Sequence, residues 1–284
     1  MCHETGETMA QHKRFQDLNL ADAYLFAAAL EDAETCRVTL EILLGRTIGH
    51  VTVHAEHSIL FSKDYHSIRL DIYAQDAEGS DYNVEMQGGN EGNLPKRSRY
   101  HQAQMDVMSL PSGSDFNELR PSYVVFICRF DPFGGGLFRY TFTNRCAEMD
   151  LELGDGTVKI FLNTKGKNTS DVPRELVHFL EYVENSTSEC ADKQDDERIR
   201  HIHKRVMAVK ESREWERKYM TFGELLQKEH RDGIQEGRQE GRQESLLLMQ
   251  KMLEAGEADK VSLLADEKFF EEMCRKYGII SKNN

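Results

Sequence analysis

RLDIYAQDAEGSDYNVEMQ, residues 69–87, is the stretch on which the fold turns. Two runs of strand-forming residues, 68–74 and 82–87, flank a polar segment, 75–81, that holds the turn-forming Asp76, Gly79, Ser80 and Asp81. The pattern predicts a β-hairpin. Strand side chains alternate between faces, so Leu70, Ile72 and Ala74 share one side while Arg69, Asp71 and Tyr73 share the other. On the second strand Tyr82, Val84 and Met86 oppose Asn83, Glu85 and Gln87. Pairing the strands with their apolar stripes aligned brings Asp71 and Glu85 onto one side of a sheet, with Gln87 one pleat further along. Two readings of that polar stripe stand side by side. One is an amphipathic hairpin with a solvated face; the other is a pair of carboxylates on rigid strands that holds a divalent cation.

The 284 residues suffice for one large domain with an accessory segment, or for two domains. Hydrophobic content of 39%, with 14 Phe, 10 Tyr and 1 Trp, supports a real core, whereas charged residues reach 30% and imply a solvated region. A formal net charge of -13 excludes a protein coated in basic surface. Binding to a polyanion would need a local basic patch or metal ions at an acidic site. Cys2, Cys36, Cys128, Cys146, Cys190 and Cys274 form no CxxC pair, which speaks against a zinc site or a disulfide framework and for a reducing cytoplasm. The opening MCHETGETMAQHKRF has no apolar signal region, and no window approaches the ~20 apolar residues of a membrane span, so the expected location is cytoplasmic with no membrane partner.

Along the chain, residues 1–14 read as a flexible lead-in, and 15–45 as helix, with Leu18, Tyr24, Leu25, Ala28, Ala29, Cys36, Leu40, Leu43 and Leu44 at spacings near three and four. Asp17 or Asn19 is the expected helix cap and Gly45 the expected stop. Glu41 lies inside the apolar run TLEILLG, so it either faces solvent or joins the acidic site. His54, His57 and His66 have no metal-binding spacing. After Gly88, Gly89 and Gly92 a helix begins at Leu94, with Pro95 tolerated in its first turn. Its Lys96, Arg97 and Arg99, beside Tyr100 and His101, are the most basic cluster of the N-terminal half. They are either a solvated helix end or a grip on a phosphate backbone.

SYVVFICRF (122–130) is a continuous apolar run that predicts a central strand buried on both sides. DPFGGG (131–136) reads as a hairpin loop, and 139–144 and 158–163 as two further strands, with TKGKNTSDVP (164–173) at the domain edge. Beyond Pro173 the pattern is helical: 174–184 is amphipathic, 185–196 a loop, and 197–226 helix again. His201 and His203, two apart, fall on different helix faces. The tail holds the repeat EGRQ-EGRQ-E (236–244), whose i,i+4 ion pairs return less than Gly237 and Gly241 cost a helix, about 0.2–0.5 against about 1 kcal/mol each. A marginal helix or solvated linker is expected there. SLLLMQKML (245–253) and 261–277 resume apolar periodicity suited to homo-oligomer contacts.

RLDIYAQ, YNVEMQ, NLPKRSRYHQAQMD, SYVVFICRFDPFGGG and FLNTKGKN follow one another in an order that resembles the Rpn family of recombination-promoting nucleases, PD-(D/E)xK nuclease family transposases. The resemblance covers roughly the first two thirds of the chain and recurs in the Gly-Arg-Gln-Glu tail. It implies an α/β, restriction-endonuclease-like core over 15–168, with a mixed central sheet flanked by helices, and a helical C-terminal region over 169–284. It further implies a catalytic set of Asp71, Glu85 and Gln87. The metal ligands would be Asp71, Glu85, the backbone carbonyl of Met86 and Glu41 on the first core helix. Mg²⁺ is the expected ion, with Mn²⁺ as a substitute, and DNA the expected substrate, held by Lys96, Arg97, Arg99 and Tyr100. Gln87 departs from the wider superfamily's Lys, replacing a cation by a neutral donor and acceptor, and Leu70 stands where that superfamily has Pro. The expected function is a metal-dependent DNA endonuclease associated with recombination or mobile elements. The alternatives are a nuclease-like DNA-binding or oligomeric adaptor with little or no catalysis, or an interaction protein whose acids are surface groups. No Gly-x-Ser-x-Gly elbow, phosphate-binding loop or His-Glu-x-x-His helix points elsewhere.

Overall fold

The second strand of the quoted stretch carries alternating large apolar and polar side chains, so its apolar face at least needs cover. In the computed structural model, which describes residues 13–54, 72–193 and 195–279, it is β3 (Asp81–Gln87). Strand β2 (Ile72–Asp76) precedes it and pairs with it antiparallel, Ile72 opposite Val84 and Tyr73 opposite Asn83. Asp76 closes the turn: its Oδ1 accepts from the backbone N–H of Glu78 (3.0 Å) and Ser80 (2.8 Å), and Gly79 supplies a φ of 88°. The first strand of the expected hairpin begins in residues outside the described ones, Asp71 included.

Among the described residues the sheet has six strands in the order β1-β2-β3-β4-β6-β5. Here β1 is Val51–Val53, β4 Ser122–Cys128, β5 Arg139–Phe142 and β6 Thr157–Asn163. β3 pairs parallel with β4, and β4 with β6, whereas the β1–β2, β2–β3 and β5–β6 pairs are antiparallel. The expected mixed sheet is present, and the apolar run 122–128 lies in its interior between two parallel neighbours.

Helices cover both faces. Helices α1 (Ala23–Leu30) and α2 (Ala33–Leu44) precede the sheet in the chain. They lie on the Tyr82 side, where Arg46, just beyond α2, donates to the Tyr82 hydroxyl at 2.9 Å. Their caps are Asp22, which accepts from the N–H of Tyr24 and Leu25, and Asp32, which accepts from that of Thr35, in place of the expected Asp17 or Asn19. Asp17 sits instead in a short 3₁₀ turn and pairs with Arg14. Gly45 ends α2 at φ 70°, a conformation that favours glycine. Helix α3 (Leu94–Ser109) covers the opposite face, its Leu94 and Met105 packed on Tyr73, Val124, Phe126, Cys128 and Phe161.

The chain divides into two compact units, Met1–Glu216 and Arg217–Asn284. Helices α4 (Arg174–Glu184), α5 (Ser188–Asp192) and α6 (Glu197–Glu211) therefore pack with the sheet-bearing unit, although the sequence pattern suggested an edge near residue 168. The amphipathic side of α4, Leu176, Phe179, Leu180 and Val183, is fully buried, and α6 lies against α1 and α2. The unit boundary falls within α7 (Arg213–Glu254), whose helix continues through the EGRQ repeat. In the second unit Leu248 and Met252 pack with Met273, Cys274 and Ile279 around α8 (Glu267–Tyr277). Among the described residues no helix is long and apolar enough to cross a membrane.

Candidate active site

The odd-numbered side chains of β3 point at α3, and none of Asp81, Asn83 and Glu85 is more than 4% exposed. The solvated stripe allowed by the sequence is thus a buried one. Burial follows from α3 itself. Its inward face runs Leu94, Arg97, Ser98, His101, Gln102, Met105, at helical spacings of three and four. The apolar ends anchor the helix, and the polar middle lies over the acids.

Arg97 connects the two elements. One of its terminal nitrogens pairs with Glu85 Oε1, and Nη1 donates to Gln87 Oε1 at 3.1 Å. Its guanidinium lies 5.8 Å from the centre of the Phe126 ring. His101 Nε2 lies 3.3 Å from Glu85 Oε2, and its ring stands edge-on to Phe126. Burial, helped by the Arg97 charge, pushes the His101 pKa down to about 4, so the imidazole is neutral at neutral pH. Towards the turn, Gln102 donates to the Ser122 hydroxyl, and burial raises the pKa of Asp81.

Buried polar atoms without a hydrogen-bond partner are concentrated under this helix. Glu85 Oε2 and His101 Nδ1 are two of them, with Asp81 Oδ1, Asn83 Oδ1 and Gln102 Oε1 further along. Glu85 Oε2 has His101 Nε2 at 3.3 Å but no well-formed hydrogen bond; a buried carboxylate oxygen so poorly satisfied carries a desolvation cost, and it suits a hard cation that takes oxygen ligands. Glu85 fits a divalent metal by that test. Among the described residues no group of three or more His, Cys, Asp and Glu side chains has the spacing to hold an ion. Asp71, the second expected carboxylate, lies outside the described residues. Met86 occupies the intervening position on β3.

The other candidate residues are distributed as follows. Glu41 is on α2, where its Oε1 accepts from Arg37 Nη1 at 2.7 Å and from the Ile48 N–H at 3.0 Å. It lines a cavity of about 340 Å³ with Arg46, Glu175 and Arg198, and α2 is on the Tyr82 side of the sheet, away from Glu85. Within the basic cluster of α3, Arg97 turns inward, while Lys96, Arg99 and Tyr100 are exposed. Of the histidines, His54 contacts Gln75 Oε1 at 3.3 Å, and His57 and His66 lie outside the described residues. His201 meets Thr35, and His203 meets Tyr182 and Ser188.

His101 and Gln102 did not stand out in the sequence as parts of the site. The signal available was their placement, four and three residues before or after apolar or charged positions that face the same way, inside a helix whose only fully apolar anchors are Leu94 and Met105. No curated protein and no solved structure matches the chain. The family model for PD-(D/E)XK nuclease family transposases matches residues 39–230, which span β3, α3 and the whole sheet beyond β1 as well as β1 itself. The chain belongs to the PD-(D/E)XK nuclease family transposases.

Proposed function

We propose that the protein is a metal-dependent endonuclease that hydrolyses DNA phosphodiester bonds in recombination or in the movement of mobile elements. One observation carries the reading: Glu85 is buried at the end of β3, its Oε2 without a well-formed hydrogen bond although His101 Nε2 lies 3.3 Å away, beside Gln87 and under a cationic helix. Ile72, the first described residue of β2, pairs with Val84, and Asp71 precedes it in the chain outside the described residues. The Asp71 and Glu85 carboxylates would hold Mg²⁺ or Mn²⁺, with the Met86 carbonyl as a further oxygen. Glu41 would have to leave Arg37 and Ile48 to reach them, and it has no part in this set.

Hydrolysis forms a bond from water oxygen to phosphorus and breaks the bond to the leaving oxygen, which takes up a proton. A divalent ion, when bound, lowers the pKa of its water and offsets charge on the phosphoryl oxygens. Gln87 can accept a hydrogen bond from the attacking water or donate one to a phosphoryl oxygen. Arg97 supplies, from α3, the positive charge that Gln87 lacks, and neutral His101 limits the positive charge packed against Glu85. Lys96, Arg99 and Tyr100 on the exposed side of α3 would meet the phosphate backbone and position the strand without reading its sequence.

The ion pair between Arg97 and Glu85 favours a second reading, because the guanidinium competes with a metal for the carboxylate. Under that reading the fold is a DNA-binding or oligomeric adaptor. Replacement of Glu85 by Gln separates the two: an endonuclease loses metal-dependent cutting and keeps its DNA affinity within a few fold, whereas an adaptor has no cutting to lose.

A further inference from the structure

The pleat row that contains Glu85 continues across the sheet. Glu85 is in register with Phe126 on β4, Phe126 with Phe161 on β6, and Phe161 with Tyr140 on β5. Phe126 and Phe161 stack at 5.4 Å with planes 6° apart. Phe161 then stands edge-on to Phe133 at 5.1 Å and to Phe142 at 5.6 Å. Helix α3 covers the Glu85 end of the row, but beyond it the rings open into a groove of about 410 Å³, within the ~300–1,000 Å³ of small-ligand sites. Phe133 is 40% and Phe142 45% exposed, a large apolar area to leave in water.

The groove is built rather than accidental. Asp131 holds the loop that presents Phe133, accepting from the N–H of Phe133, Gly134 and Gly136 and from the Tyr140 hydroxyl. Burial raises the pKa of that carboxylate, but these donors outweigh it and leave the pKa lowered. Arg99 and Lys159 flank the rings, and neither forms an ion pair among the described residues. Arg99 and Lys159, the latter also close enough to Asp106 to act on its carboxylate, stand beside two exposed rings, Phe133 and Phe142, over the buried Phe161; in a chain of net charge -13 they complement a π-system that carries a phosphate.

We propose that this groove takes an unpaired nucleobase of the DNA strand whose phosphate lies at Glu85. The proposal rests on the nuclease reading and adds a substrate class to it: DNA with a bulged, flipped or single-stranded nucleotide next to the cut. Phe161 is two strand spacings from Glu85, about 10 Å at ~4.8 Å per strand, so a base in the groove belongs to a nucleotide near the scissile one. A base in an intact duplex is stacked between its neighbours and would have to leave them, at a cost of a few kcal/mol that an unpaired base does not meet. Arg99 and Lys159 would hold the phosphates on either side of it.

The test uses the full chain and two labelled duplexes, one fully paired and one with a single bulged 2-aminopurine nucleotide, each with EDTA and with Mg²⁺. The wild type should bind the bulged duplex roughly 5- to 150-fold more tightly, the range that one base–aromatic stack supplies, with quenched 2-aminopurine fluorescence. Phe133→Ala with Phe142→Ala should bring the ratio towards one, and Phe142→Trp should keep it. Both rings are partly exposed, and circular dichroism checks that the variants are folded. Equal affinity of the wild type for the two duplexes overturns the proposal, as does a preference that survives the double alanine change. Metal-dependent cutting of paired and bulged DNA alike, with no preference in binding, overturns the groove alone. Absence of binding to either duplex overturns both the groove and the nuclease reading.

Discussion

Arg97 Nη1 donates to Gln87 Oε1 at 3.1 Å, and the same guanidinium pairs with Glu85. A helix thus places a positive charge beside both side chains of the strand. The arrangement makes Arg97 both a brace for a buried carboxylate and a candidate for contact with the phosphoryl group.

That double role separates in mutants. Arg97→Ala leaves Glu85, 4% exposed, without its ion-pair partner, and removal of one partner of a buried pair costs about 3 kcal/mol or more. Glu85→Gln in the same chain removes the stranded charge, so the double variant should be the more stable of the two in urea unfolding. Equal midpoints for single and double variants would show that the pair does not support the fold.

The exposed side of α3 should act on affinity rather than rate. Lys96→Ala should weaken binding to unrelated DNA sequences alike and lower the slope of log affinity against log salt by about one. Titration of a labelled duplex at several salt concentrations measures it. An unchanged slope would place the phosphate contacts elsewhere.

Glu184 makes stability depend on acid. Burial raises its pKa, but Arg129, Thr164 and Lys165 outweigh that and hold it down to about 2, from 4.5. Its contribution is present above the unfolded value and is lost as pH falls from there through the folded value. Because its partners Arg129 and Lys165 are exposed and solvent screens the pairs, the worth at pH 7 is roughly 1 kcal/mol, well below the raw shift. Thermal melts should find Glu184→Gln less stable than the wild type at pH 7, with the gap closing towards pH 2.

Gly166 packs against Phe138. A methyl group there would come within 2.7 Å of the Phe138 Cα, a backbone atom that cannot rotate away. Gly166→Ala should therefore destabilise the first unit by about 1–3 kcal/mol. A melting temperature equal to that of the wild type would mean that the loop beyond β6 yields freely.

The sheet was legible because its strands obey local rules: 122–128 is apolar throughout, and the 76–80 turn carries Asp and Gly where the backbone needs them. The identity of Glu85 and Gln87 as neighbours on one strand face was equally plain. What α3 does to them was not. Its inward face includes Ser98, His101 and Gln102, so its polar surface and its buried surface look alike in sequence, and the basic run 96–99 gives no sign that Arg97 alone turns in. Glu41 illustrates the converse. Its place in an apolar helical run suggested a role in the site, but Arg37 one turn earlier and the Ile48 N–H satisfy it locally. The groove of Phe133, Phe142 and Phe161 was hidden because it depends on strand register between segments that lie far apart in the chain.

Whether Asp71 and Glu85 form a metal-dependent active site is decided by cleavage of supercoiled plasmid with Mg²⁺, Mn²⁺ or EDTA, by the wild type beside Asp71→Ala and Glu85→Gln. Nicking should require the metal and fall by about 10³-fold or more in both variants, a loss of roughly 4 kcal/mol in the barrier, while circular dichroism finds them folded. A folded wild type that cuts with no metal, or variants that cut as well as it does, would contradict such a site.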